Sequence, residues 1–476
     1  MEWETTPESQ KWYEEEFSEV DFGDKRLNRR VIKIAQKFSE FPEYPINQAC
    51  QDWQDVKAAY RFFQNEDVTA QAILHPHQMR TLQRASGEKV ILAIQDTSYF
   101  NYTSHEKTSG LGKITSCANG DLRFPNNGFI MHTTFGVSTE GLPLGILSQE
   151  LWARSAEEKK PTIDLPIEEK ESFKWLKALR QSRDRFVESG EDLQMVTVCD
   201  READIYELFV EADRSKMPFL VRASADRLIN KKSRRSKPKA KLWPYMSSQK
   251  SAGFMKVLVP KKKGQPSREA LLEIKYAPFI LNAPHNKTVR KNGELPNLSL
   301  YAVYVSEVNP PSEKVALEWM LLTNLKVNTL EEAIEKVRWY CFRWRIESFH
   351  KILKTGCAVE ACRLETADRL IRYLTLKSIT AWRIFWLTLV GRSRPDDPCT
   401  SVLTEREWKI IYCKIKKTKS LPSQPPPLQQ AIRWIAQLGG FLARKGDGDP
   451  GMITLWRGWQ RLTDLVEGSV ITETYG

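Results

Sequence analysis

Between residues 23 and 41 the apolar positions Val31, Ile34, Ala35 and Phe38 recur at helical spacing, while Lys25, Arg26, Arg29 and Arg30 fall on the other side. That spacing predicts an amphipathic helix with a basic outer face. A second helical pattern, "DVKAAYRFFQNEDV" (55–68), brings in Tyr60 and Arg61. Together the two make a small module able to lay cations along a duplex, although core packing explains their apolar halves equally well. From about residue 88 the pattern becomes that of strands: "KVILAIQ" (89–95), "FIMHTTFGV" (129–137), "GLPLGILSQELW" (141–152) after a "STEG" turn, "QMVTVC" (194–199) and "MPFLVRA" (217–223). Helical stretches at 168–188 and 202–212 separate the later strands, which predicts an α/β core. After 225, short apolar runs such as "FMKVLV", "LLEIKY", "LSLYAVYV" and "EWMLLTN" stand among prolines, glycines and basic residues, predicting a β-rich insertion that ends near 324. A long helix is expected from Asn328 or Thr329, where an N-cap side chain belongs. Beyond about 370 the chain is helical again, interrupted by the proline linker "LPSQPPP" (421–427).

Within the long helix, "RWYCFRWRIESFHKILK" (338–354) surrounds one glutamate with cations. At about 100° per residue, Tyr340, Arg343, Glu347, His350, Lys351 and Lys354 fall within a sector of roughly 100°. Phe342, Ile346, Phe349 and Leu353 form one apolar flank; Cys341, Trp344 and Ile352 form the other, with Arg345 as the main exception. A helix buried over so much of its circumference turns its polar stripe toward a cleft or ligand. The ordinary alternative is a wet stripe held by Arg343–Glu347 and Glu347–Lys351 pairs four residues apart.

The chain has 476 residues, 41% of them apolar, enough for several cores and two to four domains. Its longest apolar region, 374–390, is interrupted by Lys377 and Arg383, and its first residues are acidic, so neither membrane insertion nor export is expected. Eight cysteines occur without a CxxC pair, which fits reduced thiols in a cytosol and implies no structural metal. The net charge is +12, with clusters at 231–241, 260–264 and 414–419. Clustered cations attract polyanions, and nucleic acid is the leading partner. Any single run reads as readily as a solvated loop.

Two further carboxylates stand where apolar runs end. Asp96 follows "VILAIQ" and Asp200 follows "VTVC". An Asx-turn at Asp96 and a helix N-cap at Asp200 would explain each singly. Two aspartates at strand ends and a helical glutamate would together make an oxygen-rich site suited to magnesium or manganese rather than zinc.

The spacing Tyr340-x₂-Arg343-x₃-Glu347-x₆-Lys354 and the segment "CDREAD" (199–204) resemble the bacterial insertion-sequence transposases that have an Asp-Asp-Glu site, in their Tyr-Arg-Glu-Lys subgroup. The likeness extends over nearly the whole chain: "GDKRLNRR", "AYRFFQN", "AIQDT", "EWMLLT", "IAQLGGF" and "LWRGW" all take part. Each piece alone is a weak signal and the combination is specific.

The resemblance implies a ribonuclease H-like catalytic core, a mixed sheet flanked by helices with a β-rich insertion, between α-helical N-terminal and C-terminal domains. The implied boundaries are 1–70 for a DNA-end-binding domain, 71–370 for the catalytic domain with its insertion at about 225–324, and 371–476 for a domain serving dimerisation. Asp96, Asp200 and Glu347 would be the catalytic residues and would bind two Mg2+ ions per site, with Mn2+ able to substitute. Tyr340, Arg343, His350, Lys351 and Lys354 would lie along the DNA, Trp319 would stack a flipped base, and Arg222 would add a contact. Arg26, Arg29, Arg30, Tyr60 and Arg61 would grip or read the terminal DNA. Met452, Trp456, Trp459, Leu462 and Val466 form an apolar stripe that serves either a dimer contact or internal packing. The implied activity is cut-and-paste transposition in a synaptic homodimer on transposon ends and target DNA, through a hairpin intermediate, in the bacterial cytoplasm at the nucleoid. A structure-specific endonuclease of the same fold and an inactive DNA-binding repressor are the alternatives.

Overall fold

The computed structural model describes residues 11–114, 126–154, 165–190, 192–230, 240–259, 267–284, 295–312 and 316–475. Of the basic runs, 260–264 and all of 231–241 except Ala240 and Lys241 lie outside the described residues. The N-terminal helices are α1 (Trp12–Glu16), α2 (Lys25–Glu40), α3 (Ile46–Ala49), α4 (Trp53–Gln64) and α5 (Ala70–Arg84). Aspartates start two of them: Asp24 accepts from the Arg26 amide and Asp52 from the Asp55 amide, satisfying donors that a helix start leaves free. Val31, Ile34, Ala35 and Phe38 of α2 are all buried, as their spacing requires. Arg30 and Lys33 reach the same Asp55 carboxylate, at 3.0 and 2.7 Å, and tie α2 to α4.

Among the described residues, twelve strands form one sheet. They are β1 (Val90–Asn101), β2 (Gly112–Lys113), β3 (Asn127–Ser138), β4 (Pro143–Trp152), β5 (Gln194–Cys199), β6 (Phe219–Arg222), β7 (Leu228–Ile229), β8 (Ala240–Lys241), β9 (Gly253–Val259), β10 (Arg268–Leu281), β11 (Leu298–Glu307) and β12 (Glu318–Thr323). Strands β4, β3 and β1 run as an antiparallel meander, and β5 and β6 follow parallel to β1. The insertion is no separate unit: β12 pairs with β6, and β11, β10 and β9 follow antiparallel, so its strands extend the same sheet. Alternation sorts β1 between two cores. Leu92 and Ile94 face the one shared with the N-terminal and C-terminal helices, while Ile91 and Ala93 face the one covered by α6 (Phe173–Ser189) and α7 (Tyr206–Arg214).

A buried network anchors α1 to the sheet. Glu16 pairs with Arg84 and His77, Arg84 donates from Nε to the Leu144 carbonyl, and His77 Nε2 accepts from the Ile146 amide at 2.9 Å. Burial pushes the Glu16 carboxyl up, yet Arg84 and His77 outweigh it and hold its pKa at about 2.

The helix expected from residue 328 onward is two helices. Thr329 caps α9 (Leu330–Cys341) in a reciprocal box with Glu332, after the short α8 (Leu242–Ser247) of the insertion. At Phe342 and Arg343 the amides bond three residues back instead of four, which ends α9 before α10 (Trp344–Lys351) begins. Apolar periodicity passes through such a turn unbroken, so the pattern alone reads as one helix. A π turn, Ile352–Gly356, completes the segment.

The apolar region near 380 lies in α11 (Ala367–Ser393), which runs through the core. Lys377 is fully buried there and donates to the carbonyls of Pro42 and Tyr44, at 2.8 and 3.3 Å, while burial lowers its pKa to about 8. Among the described residues no helix is long and apolar enough to cross a membrane, and the described cysteines are free. The chain ends in α12 (Glu405–Lys416), α13 (Leu428–Leu438) and α14 (Met452–Tyr475). Internal packing takes up the C-terminal apolar stripe: Leu462 is buried, and Met452, Trp459 and Val466 pack on the core. The chains of α13 and α14 nearly touch at two glycines. A Cβ on Gly458 would lie 1.7 Å from the Ile435 carbonyl oxygen, and one on Gly439 would lie 1.8 Å from that of Thr454. Gly458→Ala is expected to force the two helices apart and to destabilise the protein by about 3 kcal/mol, read as a lowered thermal midpoint. An unchanged midpoint would show that the crossing yields freely.

Candidate active site

Strand register brings the two aspartates together. The parallel pairing of β1 with β5 ends at Gln95 opposite Cys199, so Asp96 and Asp200 are the next residues on neighbouring strands. Neighbouring strands lie about 4.8 Å apart. Asp96 is no strand end, however: β1 continues to Asn101 along β3, and only its pairing with β5 stops. Parity fixes the face. Asp96 follows Ile94 by two residues and Asp200 follows Val198 by two, and both apolar residues belong to the core that Ile346 and Phe349 of α10 also enter. Phe349 stacks on Phe135 of β3 with ring centroids 4.7 Å apart, which sets α10 across this face. Glu347 and Arg343 then stand over the aspartates.

The electrostatics follow. Burial pushes the Asp96 carboxyl up to about 7; the Thr97 amide and the Arg343 guanidinium oppose that, while the charges of Asp200 and Glu347 add to it. Asp96 Oδ1 accepts from the Thr97 amide at 2.9 Å. Asp200 Oδ1 accepts from the Glu202 amide at 2.9 Å and caps a short 3₁₀ turn, Arg201–Ala203, as the cap reading expects. Arg343 donates to Glu347 Oε1 at 2.6 Å, the pair expected four residues apart, but with the guanidinium buried.

His350 does not join the exposed stripe. It is 6% exposed, its Nδ1 stands 3.9 Å from Asp96 Oδ2, and burial drives its pKa down to about 3. A neutral imidazole behind Asp96 faces the protein interior, not solvent. Tyr340 is likewise buried. Its hydroxyl meets Arg222, whose Nη2 donates to the Glu318 carbonyl at 3.0 Å. Trp319 packs edge-on against Tyr340 with centroids 5.3 Å apart and is 8% exposed. Lys351 is exposed and Lys354 half-buried. Trp344, expected on a buried flank, is 43% exposed, and Arg343 lies over its ring at 4.8 Å. The break at Phe342–Arg343 resets the helical phase and turns this indole outward.

In the N-terminal helices, Arg26 is exposed and paired with its own cap residue, Asp24. Arg29 is exposed, and Arg30 is engaged by Asp55. Tyr60 and Arg61 are exposed on α4, together with Trp53, Gln54, Lys57 and Gln64. Trp53 is 76% exposed. Trp53, Lys57, Tyr60 and Gln64 recur at four, seven and eleven residues, one outward face of a helix whose other face is buried. That spacing was present in the sequence and locates more of the face than the two residues first singled out.

The donor set suits a hard divalent cation. It consists of carboxylates alone, one of them an acid that two neighbouring acids help to keep protonated, a repulsion that a cation relieves. In the described residues no three His, Cys, Asp or Glu side chains are yet drawn close enough to grip an ion. Glu347 is instead paired with Arg343.

Comparison with known proteins agrees along the chain. Residues 9–68 match the transposase DNA-binding family, residues 174–383 the transposase DDE domain and residues 379–476 the transposase Tn5 dimerisation domain. The middle match contains Asp200 and Glu347 and begins after Asp96, which strand register places beside them. DDE domains act with divalent metal ions. DNA binding and homodimer formation follow from the outer two matches. With a mixed sheet flanked by helices between these regions, the chain belongs to the DDE transposases, enzymes that move DNA segments.

Proposed function

We propose that the chain binds the inverted-repeat ends of its own element as a synaptic homodimer, cuts them, and joins the freed 3′ ends to target DNA through one site built on Asp96, Asp200 and Glu347. The observation that carries this reading is the placement of Asp96 and Asp200 at adjacent positions on parallel strands, under a helix that holds Glu347 and Arg343. Two Mg2+ ions, replaceable by Mn2+, would supply activation of the attacking oxygen and stabilisation of the leaving one at phosphorus. Asp96, Asp200 and Glu347 hold their oxygens for those cations. Arg343, freed from Glu347, neutralises phosphate charge, and Tyr340, Lys351 and Lys354 hold the cut strand in place. Trp319 and Arg222, which each meet Tyr340, are the residues that a base turned out of the duplex would stack on or contact, relieving a tight hairpin. Arg26, Arg29, Tyr60 and Arg61, with Trp53 and Lys57, face the terminal duplex, while Arg30 acts through Asp55.

Domain limits near 70 and 370 suit this division of labour, with 1–70 on the DNA ends and 371–476 at the dimer. The setting is the bacterial cytoplasm at the nucleoid. The test incubates purified protein with a duplex carrying the inverted repeat that flanks its gene, Mg2+ and a supercoiled plasmid. Joined product is expected. Cleavage without joining would favour an endonuclease, and salt-sensitive binding without cleavage a repressor.

A further inference from the structure

The π turn and the polypeptide after it place Lys354 with unusual care. Its Nζ lies over the ring of Phe100, 5.1 Å from the centroid. Phe100 is on β1, four residues beyond Asp96, and wholly buried, so a single strand presents both the acid and the ring. The chain then returns to that strand. The 3₁₀ turn Val359–Ala361 follows Ala358, which takes the left-handed conformation at φ 45°. Glu360 Oε1 accepts from the Asn101 amide at 2.7 Å, and the Tyr102 hydroxyl donates to the Val359 carbonyl at 3.0 Å. Glu360 is the strongest attraction acting on the Lys354 ammonium, ahead of Asp96, and both work against burial. A lysine has a flexible stem and no rigid fork. Unrestrained so near Asp96, it would pair with that carboxylate, cancelling charge needed for cations and losing its reach to DNA.

We propose that Phe100 and Glu360 are positioning residues: the ring face and the carboxylate at the end of β1 hold the Lys354 ammonium off the catalytic acids and aim it at the phosphate of the cleaved strand. The inference rests on the reading that Lys354 contacts DNA. Phe100 contributes cation–π attraction to a desolvated ammonium, and Glu360 contributes charge fixed by its own backbone hydrogen bond.

The test measures single-turnover cleavage of a labelled duplex carrying the flanking inverted repeat, in Mg2+, by the full-length protein. Phe100→Leu and Glu360→Gln are each expected to slow cleavage about tenfold, and Lys354→Ala about a hundredfold. In the Lys354→Ala background either substitution should change the rate less than about twofold, because residues acting through one group are not additive. Losses that multiply in that background, or single variants as fast as the parent, would overturn the inference while leaving Lys354 on the DNA. Lys354→Ala cleaving at the parental rate would instead remove the reading beneath it. Should Phe100→Leu fold poorly, the half-buried Glu360→Gln decides the matter alone.

Discussion

Glu347→Ala is expected to lose end cleavage by roughly a thousandfold, about 4 kcal/mol of transition-state stabilisation, while binding the same duplex within about threefold of the parent. The asymmetry comes from where Glu347 sits. Its carboxylate is 40% exposed and its partner Arg343 is nearly buried, so on the proposed reading removing it would take a cation ligand from the chemistry and a negative charge from the path of the DNA. The outward face of α4, proposed to grip the terminal duplex, is untouched. A gel-shift titration and a cleavage time course on one labelled duplex separate the two effects. Cleavage surviving in the variant would remove Glu347 from the reaction.

Asp96→Asn is expected to abolish cleavage just as fully and yet to stabilise the metal-free protein at alkaline pH. The folded Asp96 carboxyl titrates at about 7 against 3.8 for an ordinary aspartate, so the folded state holds its proton more tightly than the unfolded chain. The associated stability is present in full below pH 4 and is lost as pH rises through 7. At pH 8 the parent carries a buried, repelled carboxylate at a cost of up to about 4 kcal/mol, which the amide avoids while keeping an oxygen for the Thr97 amide. In chelator, the thermal midpoint of the variant should exceed that of the parent by roughly 2 °C or more at pH 8, with the gap closing toward pH 5. An equal gap at both pH values would mean that Asp96 is not under this strain.

Much of the site could be read in the residues themselves. Glu347 and Arg343 stand out because cations crowd around one glutamate in an otherwise apolar pattern, and Thr329 announces the helix start with Glu332 three residues later. The strand at 194–199 matched its pattern to the residue. What escaped had nonlocal causes. The adjacency of Asp96 and Asp200 depends on a parallel register between strands nearly a hundred residues apart, which no local pattern encodes. The extension of β1 through Thr97, Ser98 and Tyr99 is imposed by β3 alongside, against a sequence that has ceased to look like a buried strand. The outward turn of Trp344 and the inward turn of His350 both stem from a change of helical phase at two residues, and the interior packing of Trp319 comes from tertiary contact with Tyr340.

The pairing of β12 with β6 has a mechanical consequence. Among the described residues, strand pairing runs unbroken from β1 and β5, which carry the acids, out to β9, so the paired strands of the insertion stand as a fixed anvil beside the site. On the proposed reading a duplex end laid against that anvil would supply the compliance by bending and unstacking at its tip, and a terminus whose last base pairs part easily would do so at the lower cost.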